Sequence, residues 1–348
     1  MLLHNVLTYK PLLNAYKHSC LKFRPSHFNL KTSTGFSTSA RLAGRTKRSR
    51  RDKEVLDVIR LGPGEITSNV GSIAISTGQA LVIGSSVLGL VSLCFYGLGM
   101  SKETSALDRA VMWPKYVRKR VRDTYKYFGA SLGVIALSAY KVATNQNLMR
   151  LISKQGKFYR PACAAVIACS SNMCESIRYK PGFGLKQMTW LLNTTLIGGI
   201  IVAPMTIFGG SIILRAALFT AGISAGVSSV ALCAPSETFL DWAAPLAACL
   251  GVVLVSALGS VFVPTSGVVG LTMYSTSTYG GLVLYGMYLL HDVHAIIKKA
   301  ETHPFNHDSK HDRFDPINAS MAVYMDVLNT FIRIVIMLVE DEEKKRRE

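Results

Sequence analysis

Charge is scarce in this sequence, and acid is withheld from one end of it altogether. Of 348 residues only 17% are Asp, Glu, Lys or Arg, against about a quarter in soluble domains, which excludes an ordinary soluble fold. From Met1 to Arg51 there is no Asp or Glu at all. Metal-site and redox spacings are missing too. The seven cysteines, Cys20, Cys94, Cys163, Cys169, Cys174, Cys233 and Cys249, contain no CxxC pair, so neither a disulfide framework nor a zinc site is indicated. No P-loop, dinucleotide fingerprint or nucleophile–base pair is present, and an enzyme is not expected.

Apolar residues make up 49% of the chain, and mean hydropathy is +0.28. They are gathered in blocks of about 20, the length a bilayer core demands of an α-helix, rather than spread at amphipathic spacing. Eight blocks stand out: Ile73–Leu98, Tyr127–Ala143, Phe158–Met173, Met188–Phe208, Ile212–Cys233, Ala243–Val263, Val268–Leu290 and Met321–Val339. The fold class they predict is all-α, a polytopic membrane bundle. Brief interruptions between blocks four and seven predict antiparallel hairpins. Gly198-Gly199, Gly209-Gly210, Gly280-Gly281 and the pair Gly222, Gly226 supply the small residues that let helices approach closely in lipid.

The acid-free leader carries eleven Lys and Arg residues up to Arg51, the composition of a mitochondrial presequence, with a processing site expected near residues 34–41. A disordered basic tail on a protein of another membrane is the competing reading. The expected division is therefore presequence over 1–40, basic linker over 41–70, membrane domain over 71–340 and charged tail over 341–348. The segment 101–127 combines basic residues with Trp113, Tyr116, Tyr125 and Tyr127, which suits an amphipathic stretch at the lipid interface better than nucleic-acid binding. Lys and Arg are shared nearly evenly between the two faces of an eight-span arrangement, so the positive-inside rule does not choose an orientation.

An ionisable side chain inside a bilayer costs about 3 kcal/mol on insertion scales and by default marks an ion or proton path. Asp292 ends the apolar run GLVLYGMYLLHD, and Asp326 lies inside MAVYMDVLNTFIRIVIML. In the latter, Asp326, Asn329, Thr330 and Arg333 fall at i, i+3, i+4 and i+7 and share one helical face. If Asp292 meets Asp326, two carboxylates in a poorly solvated site cannot both ionise cheaply and titrate as a unit. Such a pair either shares a proton or holds a hard cation; calcium fits, with waters or backbone oxygens completing its shell. The bland alternatives are an interfacial Asp292 and an Asp326 paired with Arg333. His303, His307 and His311 recur every four residues, but Pro304 and their polar setting favour a solvated loop over zinc. Arg215 can reach the interface by snorkelling.

The run from Asp292 through DPINASMAVYMDVLNTFIR resembles the signature end of the transmembrane BAX inhibitor motif family. SLCFYGLGMSKETSALDRAVMWPKYVRKRV, IIVAPMTIFGGSIILRAALFTAG, SSVALCAPSETFL and LDWAAPLAACLGVVLVSALGS resemble its mitochondrial branch. The resemblance implies an inner mitochondrial membrane protein with seven core transmembrane helices plus one extra N-terminal helix. It also implies pH-sensitive calcium leak or exchange, protection against apoptosis and a part in cristae organisation. Asp292 and Asp326 carry over as the family's acidic pair. Arg178, in MCESIRYKPG, stands near the family's locking cation, with Glu175 a departure from the pattern, and His291 occupies a position where the family often has Tyr. The expectation is a Ca²⁺/H⁺ antiporter or pH-gated calcium pathway with no resident cofactor. Its partners would be the bilayer, calcium, protons and other inner-membrane or intermembrane-space proteins. A non-transporting scaffold that organises cristae is the alternative.

Overall fold

The helix that organises the molecule starts where the chain can start one most readily. Asp315 accepts from the backbone N–H groups of Ile317 and Asn318 at 3.0 and 3.1 Å, and Pro316 takes the first helical position. Both features favour initiation, the first by satisfying orphan donors and the second by lacking one. The helix then runs to Lys345.

The computed structural model describes residues 63–97, 105–153, 159–235, 239–263, 267–303 and 314–346. The expected presequence, most of the linker, and His307 and His311 lie outside the described residues. In chain order the helices are α1 Pro63–Gly97, α2 Ala106–Met112, α3 Lys115–Thr144, α4 Gln146–Ser153, α5 Tyr159–Ser176, α6 Leu185–Ile197, α7 Ala203–Met205, α8 Gly210–Cys233, α9 Ala243–Phe262, α10 Val268–Ser275, α11 Gly281–Thr302 and α12 Pro316–Lys345. A π-helical turn, Gly198–Val202, joins α6 to α7, and a second, Thr276–Gly280, joins α10 to α11. The described residues form no strands, only an isolated bridge between Ser105 and Pro235.

A helix stands at each of the eight apolar blocks, which makes the chain a polytopic helical bundle. Six described segments are long and apolar enough to cross a membrane: Ile75–Tyr96, Leu185–Phe208, Gly210–Cys233, Leu240–Ser260, Val268–Thr302 and Pro316–Lys345. α3 and α5 fall outside that set. The first turns of α3 carry Lys115, Arg118, Lys119, Arg120 and Arg122, and α5 ends in a polar SSNMCES.

α12 forms the axis, with α3, α8 and α11 against it. Ile317, Tyr324, Val335 and Ile336 are buried there. α1 lies at the periphery along α8 and α10. Lipid tails are as apolar as leucine, so close packing and interhelical hydrogen bonds must hold the bundle together. Both are present. Asn193 of α6 accepts from Ser170 and Ser171 of α5 at 2.8 and 3.0 Å and donates to the Tyr324 hydroxyl of α12 at 2.9 Å. Trp190 donates to Ser131 of α3 at 2.9 Å.

Three expectations change. Residues 105–127 are not one amphipathic stretch: Pro114 separates α2 from α3, which then runs unbroken into the bundle. Its polar groups find protein partners, since Arg109 and Trp113 bond Glu301, and Arg120 donates to the carbonyls of Ala300 and His303, the C-terminal end of α11 where a cation is favoured. The charged tail is helical through Lys345. Of the small-residue pairs, Gly198 sits where a Cβ would strike Ser138 and the Ile135 carbonyl of α3, whereas Gly209, Gly210, Gly222 and Gly226 have nothing close.

Candidate functional site

α11 does not end at Asp292. It continues for ten residues to Thr302, because Val293, Ile296, Ile297 and Ala300 are still buried. α12 in turn reaches Asp326 ten residues after Pro316. In an antiparallel hairpin equal offsets from the connecting loop mean equal depth, here about 15 Å from the helix ends at ~1.5 Å per residue. The two acids are thus brought to the same level by counting alone, and the Asp326 carboxyl lies against that of Asp292, its nearest charged neighbour.

Asp326 is fully buried and both of its carboxyl oxygens lack a donor. The reason is chemical: the group they face is itself an acceptor until one of the two carboxyls holds a proton. Two carboxylates ~4 Å apart repel by about 4 kcal/mol at an effective dielectric of 20. A bridging proton or a cation removes that repulsion. Asp292 is more accessible, its side chain 16% exposed, and its Oδ1 lies 2.9 Å from His291 Nδ1. His291 thus sits at the rim, hydrogen-bonded to the outer acid.

Arg333 does not neutralise Asp326. Its guanidinium donates to the carbonyl of Ser277 at 3.2 Å and to that of Asn329 at 3.1 Å, and sits 4.4 Å over the Tyr285 ring. The Ser277 carbonyl belongs to the second π turn, a type of widened turn that frequently marks functional positions. Gly281 makes the arrangement fit, since any Cβ there would overlap the guanidinium. Asn329 is fully buried; its amide nitrogen donates to the Met325 carbonyl at 2.8 Å, while Oδ1 has no partner. One turn from Asp326, a further oxygen is therefore free to accept.

These residues form two facing stripes. Tyr285, Tyr288 and Asp292 follow each other at i, i+3 and i+7 on α11, opposite Asp326, Asn329, Thr330 and Arg333 on α12. Tyr288 stands near both acids. Tyr285 and Tyr288 do not figure among the candidates read from the sequence, although their spacing to Asp292 is the same signal that exposes the α12 stripe.

Arg178 is not part of this site. It is exposed in the segment between α5 and α6. The buried cation of that region is Lys186, whose ammonium bonds the Cys174 carbonyl at 2.5 Å, Asn318 Oδ1 at 2.6 Å and Asp315 Oδ2 at 2.8 Å. It holds α5 and α6 to the start of α12. Arg215 is exposed and pairs with Glu342 at 3.3 Å. His294, two residues beyond Asp292, is buried and bonds the Ala231 carbonyl of α8 through Nε2. Among the described residues no group of three or more His, Cys, Asp or Glu is placed to hold a metal, so a cation at the paired aspartates needs other oxygens as well.

Comparison with known proteins gives a consistent result. Residues 117–343 match the Bax1-I family, described as inhibitor of apoptosis-promoting Bax1. The chain is 43% identical over 269 residues to growth hormone-inducible transmembrane protein of Rattus norvegicus, a match covering 77% of each chain. No solved structure matches.

Proposed function

The chain belongs to the Bax1-I family, the inhibitors of apoptosis-promoting Bax1, and from that premise we propose that it is a calcium/proton antiporter, or pH-gated calcium pathway, of the inner mitochondrial membrane. The observation that carries this reading is the Asp326 carboxyl, fully buried, without a donor, and set against Asp292. An acid with a fixed structural purpose would be expected to have a fixed partner. This one instead has a second acid, which makes the site suited to whatever positive species arrives.

With one shared proton the pair carries a single negative charge, and its two carboxyls are joined by one hydrogen bond. Deprotonated, it presents up to four oxygens, with Asn329 Oδ1 one turn away. Calcium takes six to eight oxygens at about 2.3–2.6 Å, so waters complete the shell, and binding it releases the shared proton. Competition of H⁺ and Ca²⁺ for one pair of carboxyls is the chemical content of exchange. Arg333 is held by carbonyls and an aromatic face rather than by Asp326, so the acid remains available. His291 supports the reading by tying the outer acid to a second titratable group. Cristae organisation and protection against apoptosis would follow from control of calcium.

Reconstitution into liposomes with a calcium indicator inside and an imposed pH difference tests this. Asp292→Asn and Asp326→Asn are each expected to abolish proton-coupled calcium flux. Unaltered flux in both variants, or none in the wild type, would favour the non-transporting scaffold.

A further inference from the structure

The polar seam between α11 and α12 does not end at Arg333. Glu340 lies seven residues beyond Arg333 and fourteen beyond Asp326, and each seven-residue step on a helix returns to within about 20° of the same heading. The three ionisable side chains therefore share one face of α12. From Asp326 to Glu340 the rise is about 21 Å at ~1.5 Å per residue, some two thirds of a hydrocarbon core of ~30 Å.

The facing segment keeps the same register. Asp326 meets Asp292, Arg333 meets Tyr285 and the Ser277 carbonyl, and Glu340 accepts from the Tyr274 hydroxyl of α10, next to the π turn. Tyr274 is also hydrogen-bonded to Thr278. The titratable groups facing Glu340 are Tyr274 and Tyr279 from the α10 side and Glu343 from its own helix; among the described residues no cation pairs with it. Glu340 is partly buried rather than sealed, so water can reach it.

Building on the antiport reading, we infer that Glu340, held by Tyr274, is a second protonatable carboxylate of the transport path, exchanging protons at the end of the bundle remote from Asp292 and Asp326. One carboxylate with phenol and threonine hydroxyls offers too few oxygens for calcium, so its ligand is the proton. An ionisable group kept in the membrane without a counter-charge marks a proton relay by default. The aspartate pair is the place of competition, and Glu340 is the place where the proton is passed to or taken from water.

The test has two arms. In proteoliposomes where the wild type exchanges and Asp326→Asn does not, Glu340→Gln is expected to slow coupled flux about tenfold or more. Glu340→Asp should restore part of it, and proton release on adding calcium to the detergent-solubilised protein should be unchanged, because the aspartate pair is intact. Glu340→Gln flux within about twofold of wild type overturns the inference. The second arm needs neither a variant nor flux. Dicyclohexylcarbodiimide, which reacts with protonated carboxyls in apolar surroundings, is expected to modify Glu340 in the wild type. Absence of the adduct overturns the inference, and this arm decides Glu340 even if the wild type moves no calcium and the antiport reading fails.

Discussion

Replacing Lys186 by alanine removes the cation that closes one end of the bundle. The side chain is 1% exposed, and its ammonium makes three contacts, with the Cys174 carbonyl, Asn318 and Asp315. Deleting one partner of a buried ion pair costs about 3–5 kcal/mol, mainly because the other is left uncompensated. Here the remaining partner is cushioned: Asp315 is 17% exposed, and its other oxygen continues to cap α12. The lower end, about 3 kcal/mol, is therefore expected for the pair, with roughly another 1 kcal/mol from the buried methylenes of the stem. Asp315→Ala also loses the cap, worth about 1 kcal/mol, but a double-mutant cycle cancels that contribution. Equilibrium unfolding in mixed detergent micelles should give a coupling of about 2 kcal/mol between the two positions. A Lys186→Ala variant within about 0.5 kcal/mol of wild type, or a coupling near zero, would refute the reasoning.

Three further outcomes follow from single positions. Gly281→Ala drives a methyl into the Arg333 guanidinium and should cost about 1–3 kcal/mol, whereas Gly222→Ala, with open space around it, should be neutral or slightly stabilising in the same unfolding assay. Asn193→Ala strands Ser171 and Tyr324, while Ser170 keeps the Ile167 carbonyl, and is expected to lower stability by about 2–3 kcal/mol, with Asn193→Asp failing to restore it, because it replaces a neutral amide by a buried carboxylate. Asp326→Asn should end flux and, at a pH high enough to ionise both acids, raise calcium-free stability by about 1 kcal/mol, since an amide then supplies the donor that the two facing carboxylates lack; a destabilised variant would mean that the acid has a partner after all.

The bundle was legible in the sequence because lipid imposes a length on every span, and the eight runs of apolar residues each proved to contain a helix. Asp326, Asn329, Thr330 and Arg333 were legible by their spacing on one face. What spacing within a helix does not reveal is the partner across the interface. Arg333 turned out to be held by Ser277, Asn329 and Tyr285 rather than by Asp326, because the π turn at Thr276–Gly280 frees a carbonyl that regular helical periodicity would not anticipate. Lys186 and Asp315 lie far apart in the sequence, and only the fold brings them together. The same holds for Glu340, which opens the acidic run EDEE and looks like solvated tail until the helix is seen to continue. Family position offers Arg178 as no more than one equivalent of the locking cation, with Glu175 a departure beside it, and the chain leaves α5 before reaching Arg178, which is exposed.

The most direct measurement is the count of protons released when calcium is added to the detergent-solubilised protein, followed by titration calorimetry in buffers of differing ionisation heat. If one proton is shared by the two acids, the wild type should release protons in a calcium-dependent, saturable way, and Asp292→Asn and Asp326→Asn should release none. Calcium binding with no proton release in the wild type, or the same release from both variants, would contradict a shared site for the two ions.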